Sequence, residues 1–179
     1  MKKIFLLSFI TLFLFSCFTT NNNDKDEVKE KVAAGYLKTS DKKINVFDGN
    51  PANLDLWDRY IDAHNKRDLK AIASMNADST KQFGSFKIYG PQGQKIEGTD
   101  AQLEFISAWF EAEDPKWNTF FSYTMKVDEQ IGEWVISGSA VSKKVDGNEA
   151  SSYDIADVYI EDGKIGGFWV YTRAPVPKE

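Results

Sequence analysis

The chain has 179 residues with a single histidine and a single cysteine, and these two residues bound the chemistry it can perform. The imidazole of His64, with an unperturbed pKa of about 6.5, suits proton transfer near neutral pH. One histidine, one cysteine and no acid-rich helical spacing leave no donor set for a zinc site. A Ser-His-Asp triad would have to use His64 as its base, and no Gly-x-Ser-x-Gly elbow exists to present a serine. Gly163, Gly166 and Gly167 are spaced for a hairpin and not for a phosphate cradle, because no helical pattern follows them. No cofactor is expected. A lone cysteine also forbids an internal disulfide, so stability must come from the core.

Cys17 has its own context. Residues 1–16 open with Lys2 and Lys3 and continue as an almost unbroken apolar run of about a dozen residues, too short for a bilayer span of roughly 20. This is the pattern of a secretory signal. Leu14, Phe15, Ser16 and Cys17 resemble a bacterial lipobox. The resemblance implies acylation of Cys17, the lipid bilayer as a partner and a cell-envelope location; Phe18 in place of Asp after the cysteine implies sorting to the outer membrane. The other reading is a soluble secreted protein with Cys17 lost or left as a free thiol. The formal charge of -5 and the lack of a basic stripe argue against a nucleic-acid partner.

The elements that must position any site come next. Residues 17–52 read as the lipidated cysteine and a polar tether, since residues 18–31 have too little apolar surface to offset their ordering entropy. The domain is expected over 53–174, with a loose tail at 175–179. Leu54, Trp57, Ile61 and His64, with Tyr60 beside them, recur at helical spacing. Asp68 is a good N-cap for a second helix that buries Leu69, Ile72, Ala73 and Asn76. A strand broken by Gly84 and a short return strand lead to Thr99 and Gln102, which read as a capping box for a third helix. Its end, Glu111 to Asp114, puts negative charge at the unfavourable pole of the helix dipole. From Trp117 the period changes to two, and Asp-Gly turns at 146–147 and 162–163 mark a four-stranded antiparallel meander. Helices first and sheet last give an α+β domain.

Taken in order over residues 53–173, these features resemble the NTF2-like superfamily, the cone-shaped group that includes SnoaL-like proteins and ketosteroid isomerases. The resemblance is carried by the Tyr60 helix, the Asp68-Leu69 restart, Ala77-Asp78, Ile96-Glu97-Gly98, Tyr153 to Val158, and Gly163 to Ile165. It implies a cone formed by a curved antiparallel sheet wrapped around three N-terminal helices. In the isomerases a Tyr of the first helix and a protonated Asp of the third meander strand stabilise a developing enolate; Tyr60 and Asp154 fall at similar positions. The strand that would bring the carboxylate base reads Lys81, Gln82, Phe83, Gly84, without an acid. His64 could substitute only by pointing into the cone.

The candidates are therefore Tyr60, His64 and Asp154 for acid-base work, and Trp57, Tyr60, His64, Trp109, Phe121, Asp154 and Trp169 for lining a pocket. Residue by residue, the plainer roles carry more weight: Tyr60 as a core aromatic, His64 as a satisfied core or surface histidine, Asp154 as an ordinary strand residue. The aromatics favour a flat apolar ligand. The leading functional reading is a membrane-anchored, non-catalytic module that binds a small apolar ligand or a protein partner. The alternatives are a SnoaL-type isomerase or cyclase, and a structural protein that forms a homodimer through its open sheet face.

Overall fold

The computed structural model describes residues 31–174. The expected signal segment 1–16, Cys17, residues 18–30 of the polar tether and the tail 175–179 lie outside the described residues.

The first helix, α1 (Ala52–Lys66), buries Leu56, Trp57, Tyr60, Ala63 and His64 on one face, as the spacing predicts. It stops at Arg67, which takes left-handed backbone angles with φ 62°. Asp68 then caps α2 (Leu69–Met75), its Oδ1 accepting from the Ala71 amide at 2.9 Å. The third helix, α3 (Thr99–Glu113), departs from expectation at its start. Gly98 is the N-cap with φ 88° and no side chain caps the helix. Thr99 and Gln102 form no capping box because the Gln102 amide is drawn into the interior, where it is fully buried. The acidic end of α3 is neutralised by tertiary contacts: Glu113 accepts from Lys143 Nζ at 2.6 Å and Trp109 Nε1 at 2.8 Å, and Asp114 pairs with Arg67.

The strands are β1 (Gly35–Lys38), β2 (Lys43–Asp48), β3 (Ser79–Thr80), β4 (Gly84–Ser85), β5 (Lys87–Tyr89), β6 (Lys95–Glu97), β7 (Lys116–Val127), β8 (Glu133–Val145), β9 (Asn148–Glu161) and β10 (Lys164–Arg173). All but β3 and β4, which form their own hairpin, join one sheet in the order β1-β2-β7-β8-β9-β10-β5-β6. The meander over β7 to β10 is antiparallel as predicted. Its β8–β9 and β9–β10 turns place Asp146, Gly147, Asp162 and Gly163 at positive φ, the conformation that suits right-twisted hairpins.

Two expectations are corrected. Folded structure begins before residue 53, because β1 and β2 form a hairpin whose second strand pairs with β7 through Val46–Val127 and Asp48–Met125. The sheet is also mixed, because β5 runs parallel to β10. The α+β architecture, with helices packed on a large curved sheet, stands.

The core lies between the helices and the inner sheet face. Ile72, Phe86, Val135, Val158 and Ile165 are each fully excluded from solvent, at about 1.5–3 kcal/mol for such a side chain. A bulge in β7 between Thr119 and Phe121 reverses the side-chain parity of that strand. Thr119 faces inward opposite Ser139, while Phe121 stands opposite Gly138, and a Cβ added at Gly138 would lie 2.2 Å from the Phe121 ring.

Candidate functional site

A cavity of about 360 Å³ opens between the inner sheet face and helices α1 and α3. Its walls are mostly apolar: Trp57 and Ile61 from α1, Phe105, Ile106 and Trp109 from α3, Trp117 from β7, and Phe168 and Val170 from β10. The β5–β6 turn, with Pro91 and Gln92, and Lys143, Ser152 and Thr172 complete the lining.

The deep end is built on α1. Trp57 and Tyr60 stack at 5.3 Å, Tyr60 and His64 lie 4.5 Å apart, and Phe168 meets both Trp57 and Tyr60 edge-on. The Tyr60 hydroxyl accepts from Gln102 Nε2 at 2.5 Å, and Gln102 Oε1 accepts from Asn76 Nδ2 at 2.6 Å. Burial pushes the Tyr60 phenol up, past the pull of the two amides, so it stays protonated. His64 Nδ1 lies 2.8 Å from the Tyr60 carbonyl. A carbonyl only accepts, so Nδ1 carries the proton and Nε2 the lone pair. Burial holds the His64 pKa down at about 4, with nearby Arg67 acting in the same direction and the Tyr60 carbonyl opposing it. The imidazole is neutral at physiological pH.

The mouth carries Asp154. Sheet register aligns Thr119, Ser139, Asp154 and Thr172 in one row across four strands of the inner face. Thr172 Oγ1 donates to Asp154 Oδ1 at 2.7 Å, and the Thr119 and Ser139 hydroxyls share a 3.2 Å hydrogen bond. Burial pushes the Asp154 carboxyl up, while the Thr172 and Ser152 hydroxyls and the Lys143 charge pull it down.

Tyr60, His64 and Asp154 thus line one cavity. The Tyr60 ring lies 6.0 Å from Phe168, and its hydroxyl reaches through Gln102 to Asn76, which bridges to Ile165. Asp154 stands opposite Thr172, four residues and about 13 Å further along β10 than Phe168. The Tyr60 hydroxyl is turned to Gln102 and Asn76, and the Asp154 carboxylate to Thr172.

Trp57 and Trp109 line the cavity as expected; Phe121 and Trp169 do not. The β7 bulge turns Phe121 to the outer face. Trp169 points outward between the inward-facing Phe168 and Val170, stacking on Tyr89 at 5.3 Å and meeting Phe83 and Trp134. That outer cluster forms because the β3–β4 hairpin folds Phe83 over the sheet. The hairpin is held by Glu161, whose carboxylate accepts from the Lys81 amide at 2.9 Å and the Tyr159 hydroxyl at 2.6 Å.

Lys143, Thr172 and Gln102 were not anticipated as site residues. For Lys143 the available signal was Ser137, Ser139 and Lys143, polar residues on a face of β8 that should be wholly apolar. Among the described residues no cluster of three or more His, Cys, Asp or Glu could hold a metal ion.

No protein-family model matches the sequence, and no curated protein matches it. Solved structures do. A candidate SnoaL-like polyketide cyclase from Jannaschia sp. CCS1 aligns over 70% of this chain and 90% of its own, with TM-score 0.55 and 15% identity. An NTF2-like protein of unknown function from Burkholderia pseudomallei K96243 aligns over 69% and 92%, with TM-score 0.53 and 15% identity. The chain has the NTF2-like fold. A third neighbour of this NTF2-like domain, an LEH-like epoxide hydrolase of M. tuberculosis, aligns over 66% and 80% with TM-score 0.53 and 8% identity. Identities this low speak to the fold alone.

Proposed function

We propose that this NTF2-like protein is an outer-membrane lipoprotein, anchored through an acyl group on Cys17, whose cavity binds a small, flat, largely apolar ligand without transforming it. The anchor rests on the residues around Cys17, since burying methylenes of an acyl chain at about 0.8 kcal/mol each holds a protein on a bilayer without any membrane-binding face. Binding without turnover rests on one observation: the polar groups that catalysis would need are separated or already engaged. The Tyr60 hydroxyl is tied to Gln102 at 2.5 Å, Asp154 is held by Thr172 further along the sheet, and His64 has a pKa of about 4, too low for efficient proton abstraction near neutral pH.

Native mass spectrometry of the protein purified from its own envelope, with and without mild denaturation, tests the reading. A retained apolar small molecule recovered with unchanged mass after incubation supports it. Conversion of that molecule to a new mass would transfer support to the SnoaL-type enzyme, and a protein that carries and takes up nothing would sink ligand binding altogether.

A second reading concerns assembly. The outer sheet face exposes Phe120, Tyr123, Tyr153 and Tyr171, each more than a third accessible, which fits a second copy of this chain across that face. Sedimentation at micromolar concentration distinguishes a dimer from a monomer, and Tyr123→Lys should dissociate the former.

A further inference from the structure

The cavity carries a charge pattern that narrows the ligand class. Of the side chains lining it, only Lys143 and Asp154 bear charge at neutral pH, because His64 is neutral and the Tyr60 phenol stays protonated. The Lys143 ammonium is committed elsewhere: Glu113, which also holds Trp109 Nε1, binds it at 2.6 Å. Glu113, Lys143 and Asp154 together leave one net negative charge at the mouth, and it belongs to Asp154. The Thr172 hydroxyl donates to Asp154 at 2.7 Å, with the Ser152 hydroxyl also acting on it, whereas a carboxylate can accept about four hydrogen bonds. The same cavity is lined by Trp117 and by Trp109, whose Nε1 shares Glu113 with Lys143, the two indoles packed edge-to-face at 5.4 Å. Aromatic faces attract cations.

We infer that the cavity selects ligands whose polar end is an organic ammonium group, seated on Asp154 and against Trp109 and Trp117, with an apolar body reaching inward toward Trp57 and Phe168. The inference rests on the cavity being a ligand site. An ammonium supplies donors to Asp154 and balances the one negative charge that the Lys143–Glu113 pair leaves over. A carboxylate ligand would meet Asp154 with like charge and would have to break the Lys143–Glu113 pair to find a cation. A neutral alcohol satisfies one acceptor without meeting the charge.

Three ligands of one shape separate the possibilities: 2-naphthylmethylamine, 2-naphthalenemethanol and 2-naphthoate, each titrated calorimetrically into the full-length protein at pH 7. The ammonium should bind at least tenfold more tightly than the alcohol, and the carboxylate more weakly than either. Raising salt should weaken the ammonium and leave the alcohol unchanged. Asp154→Asn should lower the ammonium to the level of the alcohol without altering the alcohol. The salt dependence of the unaltered protein supplies the same readout should that variant fold poorly. Equal binding of all three, or preference for the carboxylate, would overturn the selection of cations while leaving the cavity a ligand site. Failure of all three to bind would overturn both.

Discussion

The deep end of the cavity and its mouth are both built from polar side chains on an apolar background, yet they solve opposite problems. At the deep end, Asn76, Gln102 and Tyr60 form a linear chain of hydrogen bonds, and Tyr60 and Gln102 are fully buried. Low dielectric strengthens such a chain and makes each unpaired member costly, so this network fixes how α1, α2 and α3 meet. At the mouth, Asp154 is held by the Thr172 hydroxyl with that of Ser152 also acting on it, and Thr172 is exposed. Its acceptors are open and cheap to alter. The two residues that resemble an isomerase pair are thus divided between a buried network and the more open end of the cavity.

The sharpest way to break the contrast is at Gln102. Gln102→Ala removes a buried side chain, strands the Tyr60 hydroxyl and leaves the Asn76 amide only its longer bond to Thr99 Oγ1 at 3.3 Å. A cost of about 3–5 kcal/mol is expected, read as a drop in Tm of about 10 °C or more. A drop of only a degree or two would mean that water replaces the amide and that the network does not hold the helices together.

Acidification should separate the regions by sign. The folded-state pKa of His64 lies at about 4, below the unfolded value of about 6.5. The unfolded chain therefore binds the proton first. Stability is fully present above pH 6.5 and is lost as pH falls toward 4, by about 3 kcal/mol in all and about 2 kcal/mol by pH 5. Asp154 behaves oppositely, because its folded-state pKa is raised: acidification through that range favours the folded state. Urea unfolding at pH 6.5 and pH 5 should show a fall that His64→Gln largely removes and Asp154→Asn slightly deepens. An unchanged pH slope in His64→Gln would show the ring to be accessible enough to protonate in place.

Tyr60→Phe is a milder cut in the same network. It keeps the ring stack on Trp57 and leaves one Gln102 donor unpaired, at about 1–2 kcal/mol. Because the hydroxyl serves the fold and not the ligand, affinity for an apolar ligand should stay within about twofold. A loss of binding much larger than the loss of stability would return Tyr60 to the recognition site.

Much of the deep end was legible in the sequence. The period of Trp57, Tyr60 and His64 and the cap at Asp68 are local features that depend on helix geometry alone. What stayed hidden required tertiary context. Gln102 three residues after Thr99 looks like a capping box, and only the Tyr60 hydroxyl above it explains why its amide turns inward. Phe121 shares parity with Trp117, and no residue type announced the bulge that separates them. Trp169 could have faced either way, since apolar side chains occupy both faces of β10 where Phe83 covers the outside. The β1 strand gave no signal because it is exposed along its whole length and its pairing to β2 is a backbone matter. The mouth was partly legible: Asp154 was visible only through a resemblance, and Lys143 belongs to a partner on α3 that no local pattern reveals.

The smallest expected change in stability comes from the mouth, where it is also the most informative. Thr172→Val keeps the β-branched shape that suits β10 and removes the 2.7 Å donor to Asp154. The threonine is exposed, so water can take its place, and the stability change should stay within about 0.5 kcal/mol. The carboxylate nevertheless loses a group that favoured its ionised form, so the Asp154 pKa should rise further, measurable by the pH dependence of its carboxyl carbon shift. Together with the Gln102→Ala result, this gives a ratio of effects between the two ends that a uniformly structural cavity would not show. If Thr172→Val destabilised the protein as much as Tyr60→Phe, the mouth would be part of the scaffold, and Asp154 would be held for the fold in the way Tyr60 is.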